Sequence, residues 1–295
     1  MSCSVYGGIG AQAKALERLG VDFEHYRLCE IDKYAVKSYN AIHGTNFSPS
    51  DITKIKGGDL GITETDKYCY IMTYSFPCQD LSLAGKMNGM AKGSGTRSGL
   101  LWEVERLLTE TQELPQVLLM ENVPEVIGQK NIKHFAEWVA FLDGLGYKSK
   151  WQLLNAKDFG VPQNRNRCFM VSILGDYYYE FPQGRPLDKR LKDLLETKVE
   201  EKYYLKDKTV EMFIAHTDKQ SAKGNGFKFE PTTGGGGALI ASLHETGKDR
   251  ATILLSHQAK KIEKETEVAT TLMARDYKGF GNQAMTGIIE KKQQY

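Results

Sequence analysis

A cysteine stands directly behind a proline at Pro77-Cys78, just after the apolar run Tyr68 to Met72. A thiol in a loop leaving a strand is a buried space-filler, a metal ligand or a nucleophile. Further on, Met120-Glu121-Asn122-Val123 puts a carboxylate at the exit of a second apolar strand, Val117 to Met120. Gln163-Asn164-Arg165-Asn166-Arg167 follows, an extended segment with residues 163, 165 and 167 on one face, suited to an anion. Near the N-terminus, Val5-Tyr6-Gly7-Gly8-Ile9-Gly10 sets a glycine turn behind a short strand, and Cys29-Glu30-Ile31 ends the next strand. The turn lets backbone approach a ligand closely, and an acid about 20 residues on accepts hydrogen bonds from a ribose diol. Residues 7–12 read GGIGAQ rather than GxGxxG. That spacing suits an adenosine cofactor without a pyrophosphate, a description S-adenosylmethionine meets. Each feature alone has a bland reading: tight packing for the glycines, a solvated carboxylate for Glu30, an inert core thiol for Cys78.

The elements that must position these groups alternate over the first 175 residues. Helices are predicted over Ala11 to Leu19, ended by Gly20, and over Tyr34 to Ile42, stopped by Gly44. Strands are predicted over Ser4 to Tyr6, Tyr26 to Ile31, Tyr68 to Tyr74 and Val117 to Met120. Leu100 to Thr111 has a helical apolar face, Lys133 to Leu142 reads as another helix, and Tyr147 to Leu154 with Arg167 to Leu174 read as a closing pair of strands. Such alternation implies an α/β fold, a mostly parallel sheet with helices on both faces. Beyond Phe181-Pro182 the pattern turns irregular. A short helix is predicted over Asp188 to Leu195, then the four glycines Gly234 to Gly237 and several short β-like pieces. A boundary near 182–186 divides a domain over 1–182 from a smaller, irregular β-rich region over 183–295.

Composition narrows the class. The 41% hydrophobic and 26% charged content is that of a globular protein. With no run long enough to span a membrane and no basic start followed by a long apolar core, a cytoplasmic location is expected. Five scattered cysteines without a CxxC pair, and six histidines without HxH or HxxxH spacing, predict neither a disulfide framework nor a metal site. Residues 183–295 carry 20 lysines and arginines against 16 acids, whereas 1–182 carry 19 against 21. The basic tilt points weakly to a polyanionic partner.

Taken in order, the motifs resemble the DNA cytosine methyltransferase family, which methylates carbon 5. They are Tyr6 to Gly10, Pro77-Cys78-Gln79, Glu121-Asn122-Val123 and Gln163/Arg165/Arg167. Asp51-Ile52 stands where that family has an acid near the cofactor's adenine, and Arg97 to Leu100 where it has an arginine-containing turn before a helix. The resemblance covers roughly residues 4–175. It implies a Rossmann-like fold dependent on S-adenosylmethionine, with residues 183–295 as a target-recognition region. Cys78 is the implied nucleophile, adding to carbon 6 of a flipped cytosine in duplex DNA. Glu121 would hold or protonate ring nitrogen 3, and Arg165 would contact the base carbonyl or phosphate. Cofactor contacts are implied for Tyr6, Gly8, Ile9, Gly10, Glu30 and Ile31, and for Asp51, Ile52, Pro77 and Leu100. Substrate contacts are implied for Gln79, Ser82, Asn122, Val123, Gln163 and Arg167, the last in a mainly structural part.

The family's arginine-rich closing segment and its final helix have no clear counterpart here. Gly281 to Ala284 is superficially similar to the helix, but its surroundings read as strand. The expectation is therefore a chain lacking the last segments, whether truncated, excised or half of a split enzyme, with a second polypeptide as partner. Methylation of transfer RNA by the same chemistry, and a binding subunit inactive alone, are the alternative expectations.

Overall fold

The computed structural model describes residues 2–5, 7–78, 80–81 and 89–188, with isolated positions and short strands between 208 and 289. The chain divides into two compact units, 1–154 with 167–182 and 155–166 with 183–295. The first unit is built on a six-stranded sheet of order β2-β1-β3-β4-β7-β5. Its strands are β1 (Ser2–Val5), β2 (His25–Cys29), β3 (Ile71–Tyr74), β4 (Val117–Asn122), β5 (Tyr147–Asn155) and β7 (Asn166–Leu174). The β1–β2, β1–β3 and β3–β4 pairs are parallel, and β7 runs antiparallel to β4. The α/β reading holds, with the closing strands where the sequence put them.

Four helices connect the strands: α1 (Ala11–Arg18), α2 (Lys33–His43), α3 (Leu101–Glu110) and α4 (Ile132–Gly144). Their ends follow from local chemistry. Asp32 caps α2 by accepting from the Tyr34 and Ala35 N–H groups, and Gly44 ends it in the left-handed conformation. Leu101, Val104, Leu107 and Leu108 turn the apolar face of α3 into the core. That core includes Met72, Tyr74, Leu118, Met120 and Trp138, all essentially inaccessible, and the Trp138 indole N–H donates to the Tyr74 hydroxyl at 3.0 Å. Burial of this kind is worth roughly 1.5–3 kcal/mol per large side chain.

One boundary differs from expectation. The strand predicted from Tyr68 begins only at Ile71. The Gln116 side chain accepts from the Tyr70 N–H at 2.7 Å and donates to the Thr65 and Tyr68 carbonyls, serving backbone groups that a strand would have paired. Most of the helix predicted over Asp188 to Leu195 and the run Gly234 to Gly237 lie outside the described residues. In the second unit, β9 (Ala238–Ile240) pairs antiparallel with β12 (Gly287–Ile289), β8 (Phe229–Pro231) parallel with β10 (Thr252–Leu254), and β6 (Gln163–Asn164) parallel with β11 (Ala269–Thr270).

Candidate active site

Register brings the motifs of the first unit to one edge. Cys29, Val5, Tyr74 and Met120 are successive partners across β2, β1, β3 and β4. The residues that follow them, Glu30, the glycine turn, Ser75 to Cys78 and, still within β4, Glu121, therefore stand side by side at the sheet's carboxyl edge. The chain passes from β1 to β2 on one side and then to β3 on the other, which opens a crevice at the end of β1.

The cysteine loop is held by its neighbours. Ser75 Oγ donates to the Glu121 carbonyl at 2.8 Å and to its carboxylate Oε2 at 2.5 Å. Buried Asn122 donates Nδ2–H to the Phe76 carbonyl at 3.0 Å, while its Oδ1 accepts from the Val123 N–H at 2.9 Å. Ser98 Oγ donates to the Pro77 carbonyl at 2.6 Å, and the Leu81 N–H closes a turn on the Cys78 carbonyl at 3.0 Å. Buried Asp80 accepts the Arg97 N–H on its carboxylate at 2.8 Å. Cys78 itself is half-buried at the edge of the core.

The other cysteines of known environment differ. Cys29 and Cys168 are buried; burial raises both thiols, Cys168 to about 11 with Glu121 adding to the effect. Such thiols stay protonated and inert at neutral pH. Cys69 is exposed, away from the sheet's carboxyl edge.

Glu121 is anchored from two sides. Besides Ser75, its Oε1 meets Arg167 Nε at 3.1 Å, with both side chains only 17% exposed. The antiparallel register explains the contact: Glu121 faces Phe169, and Arg167, two residues earlier, is its diagonal neighbour. From the sequence, Arg165 is expected in the catalytic part and Arg167 in a mainly structural one. The structure brings Arg167 to the carboxylate, while Arg165 belongs to the second unit with Gln163. There the Arg165 N–H is fixed on Asn155 Oδ1 at 3.0 Å.

On the glycine side, the Gly8 N–H donates to Glu30 Oε2 at 3.1 Å and the Asp32 N–H to Oε1 at 3.0 Å. Glu30 thus ties the turn to the end of β2. Among the described residues, nothing stands within 4 Å of the place a Gly8 side chain would take. Ile9 and Ile31 are 56% and 68% exposed, so this edge offers apolar surface beside a carboxylate. Gly10 is required twice over: its φ is +78°, and a Cβ there would stand 2.4 Å from His43 Nε2. Ile52 is buried, and Asp51 spends one carboxylate oxygen on the Thr53 hydroxyl and N–H, which hold its pKa below the usual carboxylate range. Leu100 precedes α3 and packs on the core. Tyr6, Gln79 and Ser82 lie outside the described residues. Sequence reasoning missed Ser75, Asp80 and Ser98; their signal, small polar residues beside the motifs, is too common to single them out.

Comparison with known proteins gives the family and the fold. The family model for C-5 cytosine-specific DNA methylase matches residues 1–293. The type II methyltransferase M2.ScrFI of Lactococcus lactis subsp. cremoris is 47% identical over 139 residues, 47% of this chain and 38% of that protein. The type II methyltransferase M.NlaX of Neisseria lactamica is 30% identical over 299 residues, 97% of this chain and 92% of that protein. The chain thus spans well under two thirds of the first of these relatives and nearly all of the second. Among solved structures, the S. pombe Dnmt2 methyltransferase has the same fold, with a TM-score of 0.57 at 21% identity, covering 77% of this chain and 66% of that one. This chain belongs to the C-5 cytosine-specific DNA methylase family.

Proposed function

We propose that this protein transfers a methyl group from S-adenosylmethionine to carbon 5 of cytosine in duplex DNA, through a covalent adduct on Cys78. The carrying observation is the placement of a clamped Pro77-Cys78 loop beside a Glu121 carboxylate fixed by Ser75 and Arg167. Carbon 5 of cytosine is a weak nucleophile. Addition of the Cys78 thiolate to carbon 6 pushes electron density through the ring to carbon 5, which is covalent catalysis. Glu121 holds ring nitrogen 3 in place as charge builds there during the attack. Arg167 keeps that carboxylate oriented. Once carbon 5 carries the methyl group, its proton is lost to solvent water, and the C–H electron pair restores the ring double bond and expels the Cys78 thiolate.

The residues present fit the cofactor. The open space over Gly8, the exposed Ile9 and Ile31 and the Glu30 carboxylate would seat an adenosine and its ribose, with Asp51 and Ile52 near the adenine. Gly10, Pro77 and Leu100 would complete that wall. S-adenosylmethionine supplies an electrophilic sulfonium methyl when bound. Because the target atom is inaccessible within a duplex, the base must be flipped out. Residues 183–295, with Gln163 and Arg165, are assigned to holding the DNA while Asn122 and Val123 shape the base pocket. The reaction belongs with the cell's DNA in the cytoplasm.

The test is transfer of labelled methyl from S-adenosylmethionine to duplex DNA, with nucleoside analysis of the product. Label recovered as 5-methylcytosine is expected. Label found only in transfer RNA, or on an exocyclic nitrogen, would refute the proposal.

A further inference from the structure

We propose that Glu17, His25 and His43 form a site for one divalent transition-metal ion, with Zn²⁺ the best chemical match. The three residues come from α1, β2 and α2, on the first unit's outer side strands and helices, and their ligand atoms lie within 4.8 Å of one another. Glu17 Oε1 is 2.9 Å from His43 Nδ1 and 3.8 Å from His25 Nε2. A tetrahedral zinc with bonds of about 2.0–2.1 Å sets its ligands about 3.3 Å apart, within the span of these two separations.

His43 Nε2 faces the Ile9 carbonyl at 3.1 Å, and a carbonyl only accepts, so Nε2 bears the hydrogen. A neutral ring then turns the Nδ1 lone pair toward an ionised Glu17 oxygen at 2.9 Å. Two lone pairs facing at that distance need a cation, either a second proton or a metal ion. His25 favours the metal. Its Nδ1 is fixed on the Tyr39 hydroxyl at 2.8 Å, which aims Nε2 at the same Glu17 oxygen. Each imidazole thus has its far nitrogen bonded and its near nitrogen aimed at one point, the arrangement that orients histidines on metals. Lys14 pairs with the other carboxylate oxygen and leaves Oε1 to the ion. The His43 side chain is fully enclosed, while His25 and Glu17 keep 15% and 31% exposure, which leaves a way in.

Positions 17, 25 and 43 have no local metal-ligand spacing such as HxH or HxxxH, so the group is invisible in the sequence. An ion here would pin His43, whose ring also fills the space against Gly10 and bonds Ile9 in the glycine turn. Only this last consequence rests on reading that turn as the cofactor cradle; binding of the metal does not.

The experiment uses the whole chain stripped with a chelator. Zn²⁺ is titrated against a chromophoric competitor, and Co²⁺ is added separately to read its visible absorption. One Zn²⁺ per chain and the intense d–d bands of tetrahedral Co²⁺ are expected. Glu17→Gln and His25→Gln should each weaken Zn²⁺ at least about tenfold, with metal-free circular dichroism spectra matching the parent. His134→Gln, which removes a histidine paired with Glu137 at 3.0 Å, should leave affinity unchanged. Absence of saturable Zn²⁺ binding, a Co²⁺ spectrum without tetrahedral bands, or equal affinity in both ligand variants would overturn the proposal and leave a proton between His43 and Glu17.

Discussion

Arg167→Ala separates the parts of the two arginines, Arg165 and Arg167. In the native protein the Arg167 guanidinium meets Glu121 at 3.1 Å in a site only 17% open on either side. Removing it leaves a largely buried carboxylate with Ser75 as its named side-chain partner. Breaking a fully buried pair costs about 3–5 kcal/mol; with this partial exposure about 2–3 kcal/mol of stability is expected to go. The larger effect is on positioning. A carboxylate free to shift by about 1 Å loses roughly a hundredfold in rate. Single-turnover methyl transfer at saturating DNA should fall by about that factor, with cofactor affinity nearly unchanged and partial recovery in Arg167→Lys. Arg165→Ala should instead weaken DNA binding and flatten its salt dependence, leaving the saturated single-turnover rate within a few-fold of the parent. The opposite split, an inert Arg165→Ala beside a fully active Arg167→Ala, would refute the reasoning.

Further outcomes follow from the same contacts. Asn122→Ala strands the Phe76 carbonyl and the Val123 N–H in a buried setting. A loss of about 2–4 kcal/mol in urea unfolding is expected, with slower adduct formation as the Pro77-Cys78 loop loosens; unchanged stability would sink that clamp. Gly10→Ala forces a left-handed φ on a residue whose Cβ meets His43 and Tyr39. At about 2 kcal/mol the melting temperature should drop by roughly 5 °C, and calorimetry should find weaker S-adenosylmethionine binding. Iodoacetamide at pH 8 should label Cys69 and Cys78 in the folded chain but spare Cys29 and Cys168, whose thiols burial raises. Peptide mapping that finds Cys168 labelled before unfolding would contradict its placement.

Much of the first unit was legible because its signals are local. Gly44 after an apolar-periodic stretch stops α2 where a left-handed residue is needed, and Leu101, Val104, Leu107 and Leu108 repeat at helical spacing. The order of motifs placed Cys78 and Glu121 at strand exits, and parallel register then put them at one edge. What the sequence hid is long-range. Gln116 shortens β3 through side-chain bonds to residues about 50 positions earlier. Arg165 and Arg167 share a face in any extended segment, so only the division between units and the pairing of β7 with β4 tell them apart. The Glu17–His25–His43 group exists only once α1, β2 and α2 are packed. Tyr6, Gln79, Ser82 and most of the region beyond residue 188 stay expectations of the sequence.

The central claim is that Cys78 bonds to the target base. Duplex DNA carrying 5-fluorocytosine tests it, because fluorine at carbon 5 cannot leave as the proton does and the adduct cannot resolve. With S-adenosylmethionine present, the parent chain should form a complex that survives denaturing electrophoresis, and mass spectrometry should place the nucleotide on Cys78. Cys78→Ala should form none while still binding S-adenosylmethionine with near-parental affinity. A covalent complex that persists in Cys78→Ala would contradict the account.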